Sequence, residues 1–310
     1  MGTPDFAIPS LNILVENGYD VVGVITVPDK PAGRGQQIQE SAVKKYAISK
    51  GLTILQPNKL KATQFLQQLQ ALNADIQVVV AFRMLPEAVW SMPRLGTINL
   101  HGSLLPQYRG AAPINWAIIN GEMETGVSTF FLQHEIDTGK IIFNHTITIS
   151  KTDTAGSIHD KLMEVGASLV LKTIQAIEKN EYPQIDQAHL MTGNLKNAPK
   201  IFKEDCKIDW NNNCENIYNK VRGLSPYPSA FSSIKNEKST LNLKIFVCTK
   251  EVTTHAMKAG TIDTDNKTYF KVATNNGYIH LNDIQLEGKK RMHLADFLRG
   301  FAVNEHTHFI

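Results

Sequence analysis

The stretch of sequence that decides the fold is Thr97-Ile-Asn-Leu-His-Gly-Ser-Leu-Leu-Pro-Gln-Tyr108. Apolar and polar side chains alternate at its start, which predicts a strand with Asn99 and His101 on one face. Gly102 and Pro106 end that strand. Because α/β sheets bind ligands at the carboxyl ends of their strands, an amide and an imidazole at this strand end indicate a functional site.

A carboxylate follows a second apolar run in the same way. In residues 133–139, Gln-His-Glu-Ile-Asp-Thr-Gly, Asp137 comes after the predicted strand 127–132. Taken alone, Asn99 is more often a turn residue and His101 a hydrogen-bonded histidine at a strand end. Taken with Asp137, they suit acyl transfer, because the amide and the imidazole can donate to an oxyanion. A carboxylate hydrogen-bonded to the imidazole can orient it and help collect a proton from an attacking amine. The sequence has no Gly-x-Ser-x-Gly motif, so no acyl-enzyme is expected.

The composition is that of an ordinary globular protein, and the length of 310 residues suits two domains or one large one. Three cysteines, Cys206, Cys214 and Cys248, form no CxxC pair, which favours reduced thiols in a cytoplasmic protein and argues against a zinc site. No apolar run has transmembrane length, and we expect no membrane partner. The formal net charge is +3, and residues 200–310 hold 16 Lys and Arg against 12 Asp and Glu. This small excess favours a polyanion on that side, although a solvated face is the commoner explanation.

The chain divides by its hydrophobic pattern. Strand-like and helix-like segments alternate over residues 1–180, which predicts a mostly parallel sheet with helices on both faces. Residues 181–199 are polar, contain two prolines and are interpreted as a linker. In residues 200–310 a helix at 213–222 is followed by short predicted strands at 230–234, 243–249, 260–262, 269–273 and 278–285. Short strands at such spacing predict a small β-barrel.

Long motifs throughout the chain resemble those of the methionyl-tRNA formyltransferase family. In the first part they are Met-Gly-Thr-Pro-Asp-Phe-Ala (1–7), Pro-Asp-Lys-Pro-Ala-Gly-Arg-Gly (28–35), Asn-Leu-His-Gly-Ser-Leu-Leu-Pro (99–106), Tyr-Arg-Gly-Ala-Ala-Pro-Ile-Asn-Trp-Ala-Ile-Ile-Asn-Gly (108–121) and Ile-Asp-Thr-Gly (136–139). In the second part they are Lys-Glu-Asp-Cys-Lys-Ile-Asp-Trp (203–210) and Val-Arg-Gly-Leu-Ser-Pro-Tyr-Pro-Ser-Ala-Phe (221–231). The resemblance covers essentially the whole chain.

The resemblance implies a Rossmann-like formyltransferase domain at 1–180 and an OB-like, tRNA-binding barrel at 200–310. It implies 10-formyltetrahydrofolate as the formyl donor and the methionine amino group of initiator methionyl-tRNA as the acceptor, in translation initiation. No metal and no obligate protein partner are expected. The resemblance places the family's site residues at the catalytic trio Asn99, His101 and Asp137, at the folate-contacting Ser103, Leu104, Leu105 and Pro106, and at Arg34 for the tRNA acceptor stem. Lys30 lies near Arg34 on the same loop, although the spacing of that loop alone favours an ordinary surface loop.

The sequence departs from the family at two places that matter. Phe82 and Arg83 stand where the family often has Tyr-Gly, beside the expected folate pocket. Met1 is already the methionine of the Met-Gly-Thr-Pro motif, so we expect the natural reading frame to start a few codons upstream and to supply an inner strand. Two alternatives remain open: a formyltransferase for an amino sugar nucleotide or glycinamide ribonucleotide, and a folate- or tRNA-binding protein without activity.

Overall fold

The computed structural model describes residues 1–32, 37–191, 193–237, 239–304 and 306–310. The chain folds into two compact units. The first unit comprises Met1–Gly110, Glu124–Ile147 and His159–Asn197, and the second comprises Ala111–Met123, Thr148–Ile158 and Ala198–Ile310. Among the described residues, no helix combines the length and the apolar character needed to cross a membrane.

The described residues form the following α-helices and strands, each kind numbered in chain order. The helices are α1 (Ile8–Glu16), α2 (Ala42–Ser49), α3 (Thr63–Ala71), α4 (Glu87–Trp90), α5 (Pro113–Ile119), α6 (Ala155–Glu178), α7 (Cys214–Leu224) and α8 (Leu294–Leu298). The first strands are β1 (Val24–Ile25), β2 (Lys30–Ala32), β3 (Gln37–Gln39), β4 (Ile54–Leu55), β5 (Gln77–Val80), β6 (Thr97–His101), β7 (Arg109–Gly110), β8 (Glu124–Phe131) and β9 (Ile141–Thr148). The remaining strands are β10 (Asn197–Ala198), β11 (Ala230–Lys235), β12 (Thr240–Val252), β13 (Ile262–Thr264), β14 (Phe270–Thr274), β15 (Gly277–Leu286), β16 (Met292–His293) and β17 (His308–Phe309).

The first unit contains the predicted α/β sheet. Strand β1 pairs with β4 in parallel, and β5 pairs with β6 in parallel. Strand β8 adds to β6 in the antiparallel direction, and β9 lies beside β8. Strands β5, β6 and β8 are largely buried, as expected for strands covered on both faces of a sheet, whereas four of the eight residues of β9 are exposed. The prediction of a mostly parallel sheet is therefore confirmed.

The long helix α6 packs closely against the strand that carries the site. A Cβ atom at Gly166 would lie 2.8 Å from Leu100 Cδ2, which is closer than real Cβ atoms come to a neighbour. Glycine at this position therefore allows the helix backbone to approach β6 directly. Leu100, 3% exposed, fills the space between the two elements. This packing fixes β6 and hence the positions of Asn99 and His101 on its other face.

The second unit contains an antiparallel sheet in the strand order β13-β14-β15-β12-β11-β17. A bridge between Thr261 and His308 brings the two ends of this sheet together, so that the barrel is nearly closed. Its apolar interior includes Phe270, Ile279 and Leu243, each fully buried. The predicted small β-barrel is therefore confirmed.

The three thiols of the second unit provide a test of its core. Cys206, Cys214 and Cys248 are all buried and free. Burial raises the pKa of the Cys206 thiol and raises that of Cys248 to about 12. Because the thiolate is the reactive form, we expect the native protein to resist alkylation by iodoacetamide in mildly alkaline buffer. After denaturation in guanidinium all three cysteines should be modified, as counted by intact mass. Native alkylation at the rate of free cysteine in the same buffer would contradict this core.

Candidate active site

Strand β6 brings Asn99 and His101 to one face at its carboxyl end. Asn99 lies opposite Val79 of the parallel strand β5 and opposite Phe130 of β8. His101 is 6% exposed, and Asn99 is half-buried. The flanking residues Ile98 and Leu100 point into the core and are buried. The alternation of the sequence thus leaves the amide and the imidazole side by side, as predicted.

The orientation of His101 is fixed by a backbone carbonyl. Its Nε2 lies 2.9 Å from the carbonyl oxygen of Tyr108. A carbonyl can only accept, so Nε2 carries a proton and Nδ1 is the nitrogen left for chemistry. Tyr108 is itself held in a left-handed conformation with φ of 60°, and its N–H donates to the Lys196 carbonyl at 2.6 Å. The turn at Tyr108 therefore selects the working nitrogen of the imidazole.

Asp137 faces the other nitrogen of the ring across a gap. Its Oδ2 lies 3.8 Å from His101 Nδ1, and the two side chains are 12% and 7% exposed. This distance exceeds that of a hydrogen bond. Asp137 instead accepts a hydrogen bond from the Gly110 N–H at 2.9 Å. The expected hydrogen bond between carboxylate and imidazole is thus not formed here, and the Tyr108 carbonyl orients the ring in its place. The gap leaves room for a proton-bearing group to interact with both partners.

The loop that carries Asp137 is tied to two residues that the sequence analysis did not identify. The side chain of Gln187 donates to the backbone carbonyls of Asp137 and Gly139, each at 2.8 Å. Its oxygen accepts hydrogen bonds from Arg109 Nε at 3.0 Å and Nη2 at 2.6 Å. Gln187 lies within the polar stretch interpreted as a linker, and no pattern in that stretch distinguishes it from its neighbours.

The amide of Asn99 is available to a ligand. Within the described ranges of the chain, its side chain has no hydrogen-bond partner. A half-buried amide with unused N–H groups at a strand end can donate to an oxygen that develops negative charge. The arrangement can thus supply a donor, Asn99, and an acid–base pair, His101 with Asp137, for acyl transfer, and it is the candidate site. Residues 1–32, 37–191, 193–237, 239–304 and 306–310 contain no cluster of three or more His, Cys, Asp or Glu that could hold a metal ion.

Residues 103–106 pack against β8 after the strand ends. The hydroxyl of Ser103 donates to the Gln107 carbonyl at 2.6 Å, and Ser128 Oγ donates to the Ser103 carbonyl at 2.8 Å. The same Ser128 oxygen accepts from the Leu105 N–H at 3.1 Å. Of the four residues, Leu104 alone is half-buried and the others are buried. Ser103 is therefore a structural residue whose hydroxyl is already engaged.

This arrangement predicts the effect of Ser103→Ala. Because the hydroxyl only ties the loop to Gln107, its removal should cost about 1 kcal/mol of stability and lower transfer activity by less than about 10-fold. Thermal unfolding and the steady-state rate of the acyl transfer expected of this site measure the two effects. The transfer activity of Asp137→Asn, measured in the same assay, should fall far more than that of Ser103→Ala. A loss of activity in Ser103→Ala equal to that in Asp137→Asn would indicate a nucleophilic serine and contradict this assignment.

Of the two basic residues expected to bind tRNA, Lys30 belongs to the described residues and begins strand β2. Lys30 is exposed and lies opposite Gln39, whereas Arg34 is outside the described residues. The base of the hairpin is anchored, because Asp29 forms an ion pair with Lys44 and accepts from Gln56 Nε2 at 2.8 Å. These hydrogen bonds, that of Lys44 foremost, lower the pKa of Asp29.

Arg83, one of the two departures from the family pattern, has an internal role. Its guanidinium donates to the backbone carbonyls of Asn58, at 3.1 Å, and Pro57. Its Cζ lies 5.6 Å from the ring centroid of Phe82. The extra charge is thus used to hold the 57–58 segment.

Comparison with known families agrees with this fold. The family described as Formyl transferase matches residues 1–174, and the family described as Formyl transferase, C-terminal domain, matches residues 200–302. The fold and the site thus define a formyl-transferring enzyme. A Methionyl-tRNA formyltransferase of Parabacteroides distasonis is 57% identical over 99% of this chain and 96% of its own. Those of Bacteroides thetaiotaomicron and Flavobacterium johnsoniae are 55% and 50% identical over 98% of this chain and over 95% and 96% of their own. The chain therefore belongs to the methionyl-tRNA formyltransferase family.

Solved structures share the fold at low sequence identity. A sugar 3N-formyl transferase, WlaRD, solved with dTDP and 5-N-formyl-THF, has a TM-score of 0.64 and 21% identity, over 93% of this chain and 97% of its own. HypX from Aquifex aeolicus, solved with tetrahydrofolic acid, has a TM-score of 0.58 and 18% identity, over 85% of this chain and 47% of its own. At such identities the likeness concerns the fold alone.

Proposed function

We propose that this protein transfers a formyl group from 10-formyltetrahydrofolate to the methionine amino group of initiator methionyl-tRNA, in translation initiation in the cytoplasm. The observation that carries the proposal is the identity of 57% to a relative of that name over 99% of the chain, including both units. The pairing of His101 and Asp137 beside the free amide of Asn99 supports it chemically.

The transfer occurs by direct attack through a tetrahedral intermediate. The amine nitrogen bonds to the formyl carbon, and the carbonyl π electrons move onto oxygen. Asn99 donates a hydrogen bond from its amide nitrogen to that oxyanion. His101 stabilises it from Nδ1 in the doubly protonated form, since Nε2–H is held by the Tyr108 carbonyl.

Asp137 accepts the proton of the attacking amine and passes it on. Its carboxylate lies close enough to His101 to balance the charge of an imidazolium, and one of its oxygens is held by Gly110. When the amine has bonded to carbon it is positively charged, and Asp137 accepts the released proton. The oxyanion then re-forms the carbonyl, and the bond from the formyl carbon to the donor nitrogen breaks. That nitrogen takes the proton from Asp137, so both products are neutral at nitrogen.

The formyl donor is assigned to the segment after β6. The partly exposed side chain of Leu104 offers an apolar wall for a flat ring, and the buried Ser103, Leu105 and Pro106 hold its backbone in place. The hydrogen bonds of Ser128 to this segment make that wall rigid. A preformed, mostly apolar wall with few polar groups fits a folate-type donor.

The tRNA is assigned to the hairpin and to the C-terminal residues. Lys30 and Arg34 contact the phosphates of the acceptor stem, and residues 200–310 bind the tRNA through their excess of basic side chains. Residues 1–180 perform the chemistry, and residues 181–199 connect the two parts of the chain. The anchor of Asp29 to Lys44 holds the base of the hairpin during binding.

Single-turnover formylation of methionyl-tRNA tests this proposal, with Asp137→Asn and Arg34→Ala beside the wild type. Asp137→Asn should lower the rate by about 100- to 10,000-fold, because the acceptor of the amine proton is lost. Arg34→Ala should raise the tRNA concentration needed for half-maximal rate, with little change at saturation, and reduce the slope of affinity against salt by about 1.

Two exposed positions give matched controls for these variants. Asp160→Asn and Arg94→Ala change side chains that are 75% and 72% exposed, and both variants should behave as wild type. A wild type that formylates an amino sugar nucleotide but not methionyl-tRNA would overturn the proposed acceptor. A wild type without any formyl transfer would overturn the proposed reaction.

A further inference from the structure

Three consecutive residues connect the parts of the candidate site. The carbonyl of residue 108 accepts from His101, the side chain of residue 109 donates to Gln187, and the N–H of residue 110 donates to Asp137. His101 ends strand β6, whereas Asp137 lies in the loop between β8 and β9, and the two side chains do not hydrogen-bond to each other. Their separation therefore depends on what holds this tripeptide and the Asp137 loop together.

Gln187 joins these two segments and uses its whole hydrogen-bonding capacity to do so. An amide has two N–H donors and two acceptor lone pairs. Both N–H donors go to backbone carbonyls of the Asp137 loop, those of Asp137 and Gly139. Both lone pairs accept from the guanidinium of Arg109. At 2% exposure Gln187 is shielded from competing water.

The Asp137 loop needs such a tether because it is otherwise exposed. Residues 133–136 are all exposed, and Ile136 is 57% exposed despite its apolar side chain. Asp137 itself has a positive φ of 55°, which is unfavourable for a residue other than glycine and persists only when neighbours hold it. Gln187 bonds the carbonyl of Asp137 itself and that of Gly139. It therefore holds the backbone directly after this residue.

We propose that Gln187 is a positioning residue of the transfer site, which sets the distance between the Asp137 carboxylate and Nδ1 of His101. It acts through the loop carbonyls and Arg109 and does not touch substrate. This role rests on the proposed function, in which that carboxylate accepts the amine proton. A displacement of about 1 Å at such a pair lowers a catalysed rate by about 100-fold.

Gln187→Glu is the decisive variant, because glutamate has nearly the same shape. Its carboxylate still accepts from Arg109 but cannot donate to the two carbonyls. Gln187→Leu removes both sets of bonds. Gln184→Glu, an identical change at an exposed position three residues away, is the matched control.

The first readout needs no substrate and follows the Gly110 amide proton in ¹H–¹⁵N spectra of the full chain. Its bond to a carboxylate shifts this proton downfield, and Asp137→Asn gives the value without the charged acceptor. We expect both Gln187 variants to move the signal toward the Asp137→Asn value and Gln184→Glu to leave it in place. The second readout is formylation of methionyl-tRNA, in which kcat should fall by about 10- to 100-fold and KM change by less than about threefold.

The outcomes separate this inference from the proposed function. A Gly110 signal and a kcat that both stay at wild-type values in either folded Gln187 variant would overturn the positioning role. A fall in thermal stability with unchanged kcat would likewise assign Gln187 a purely structural role and overturn it. If wild type forms no formylated tRNA, the proposed function fails, and the Gly110 signal alone still decides whether Gln187 positions Asp137. If Gln187→Leu does not fold, Gln187→Glu supplies both readouts.

Discussion

The hydrogen bond from His101 to the Tyr108 carbonyl determines what the rest of the site can do. It commits Nε2 to a backbone acceptor and turns Nδ1 toward Asp137 at 3.8 Å. A direct hydrogen bond between the two side chains would occupy Nδ1, the ring nitrogen that the Tyr108 carbonyl leaves unused. At the observed distance Nδ1 and the carboxylate, whose side chains are 7% and 12% exposed, do not bond to each other, so both can interact with a proton-bearing group of a substrate.

The scaffold explains why such a gap persists in a folded protein. His101 sits on a strand that is backed by α6 through the close approach at Gly166. Asp137 belongs to an exposed loop, and its position is set by hydrogen bonds to its carboxylate and to the backbone around it. The buried strand and the exposed loop thus contribute one partner each. Because the partners do not touch, their separation is a property of the backbone contacts around them and not of an attraction between them.

Hydrophobic periodicity in the sequence sufficed to predict the architecture and the strand that carries Asn99 and His101. It did so because alternation in β6 is a local property that burial enforces. The ends of β12 were harder to predict from the sequence. The strand covers residues 240–252 in the structure, whereas the prediction was 243–249. A register shift near Val247 leaves Ile245 and Phe246 buried in succession, which interrupts the alternation on which the prediction relied. The hairpin of β2 and β3 was not predicted from the sequence for a related reason. Pro31 lies within β2 and interrupts any strand pattern there.

The parts of the site that the sequence did not predict share a physical cause. The orienting contact of His101 is to a main-chain carbonyl, which every residue possesses and no side-chain pattern marks. The tether of Asp137 comes from Gln187, 50 residues further along the chain, in a stretch whose polar composition suggests a solvated segment. Glutamine is uncharged and common on surfaces, so its burial at 2% appears only once the chain is folded. Motifs therefore identify the groups that react, whereas the distances between them are set by uncharged amides and backbone groups that a motif does not contain.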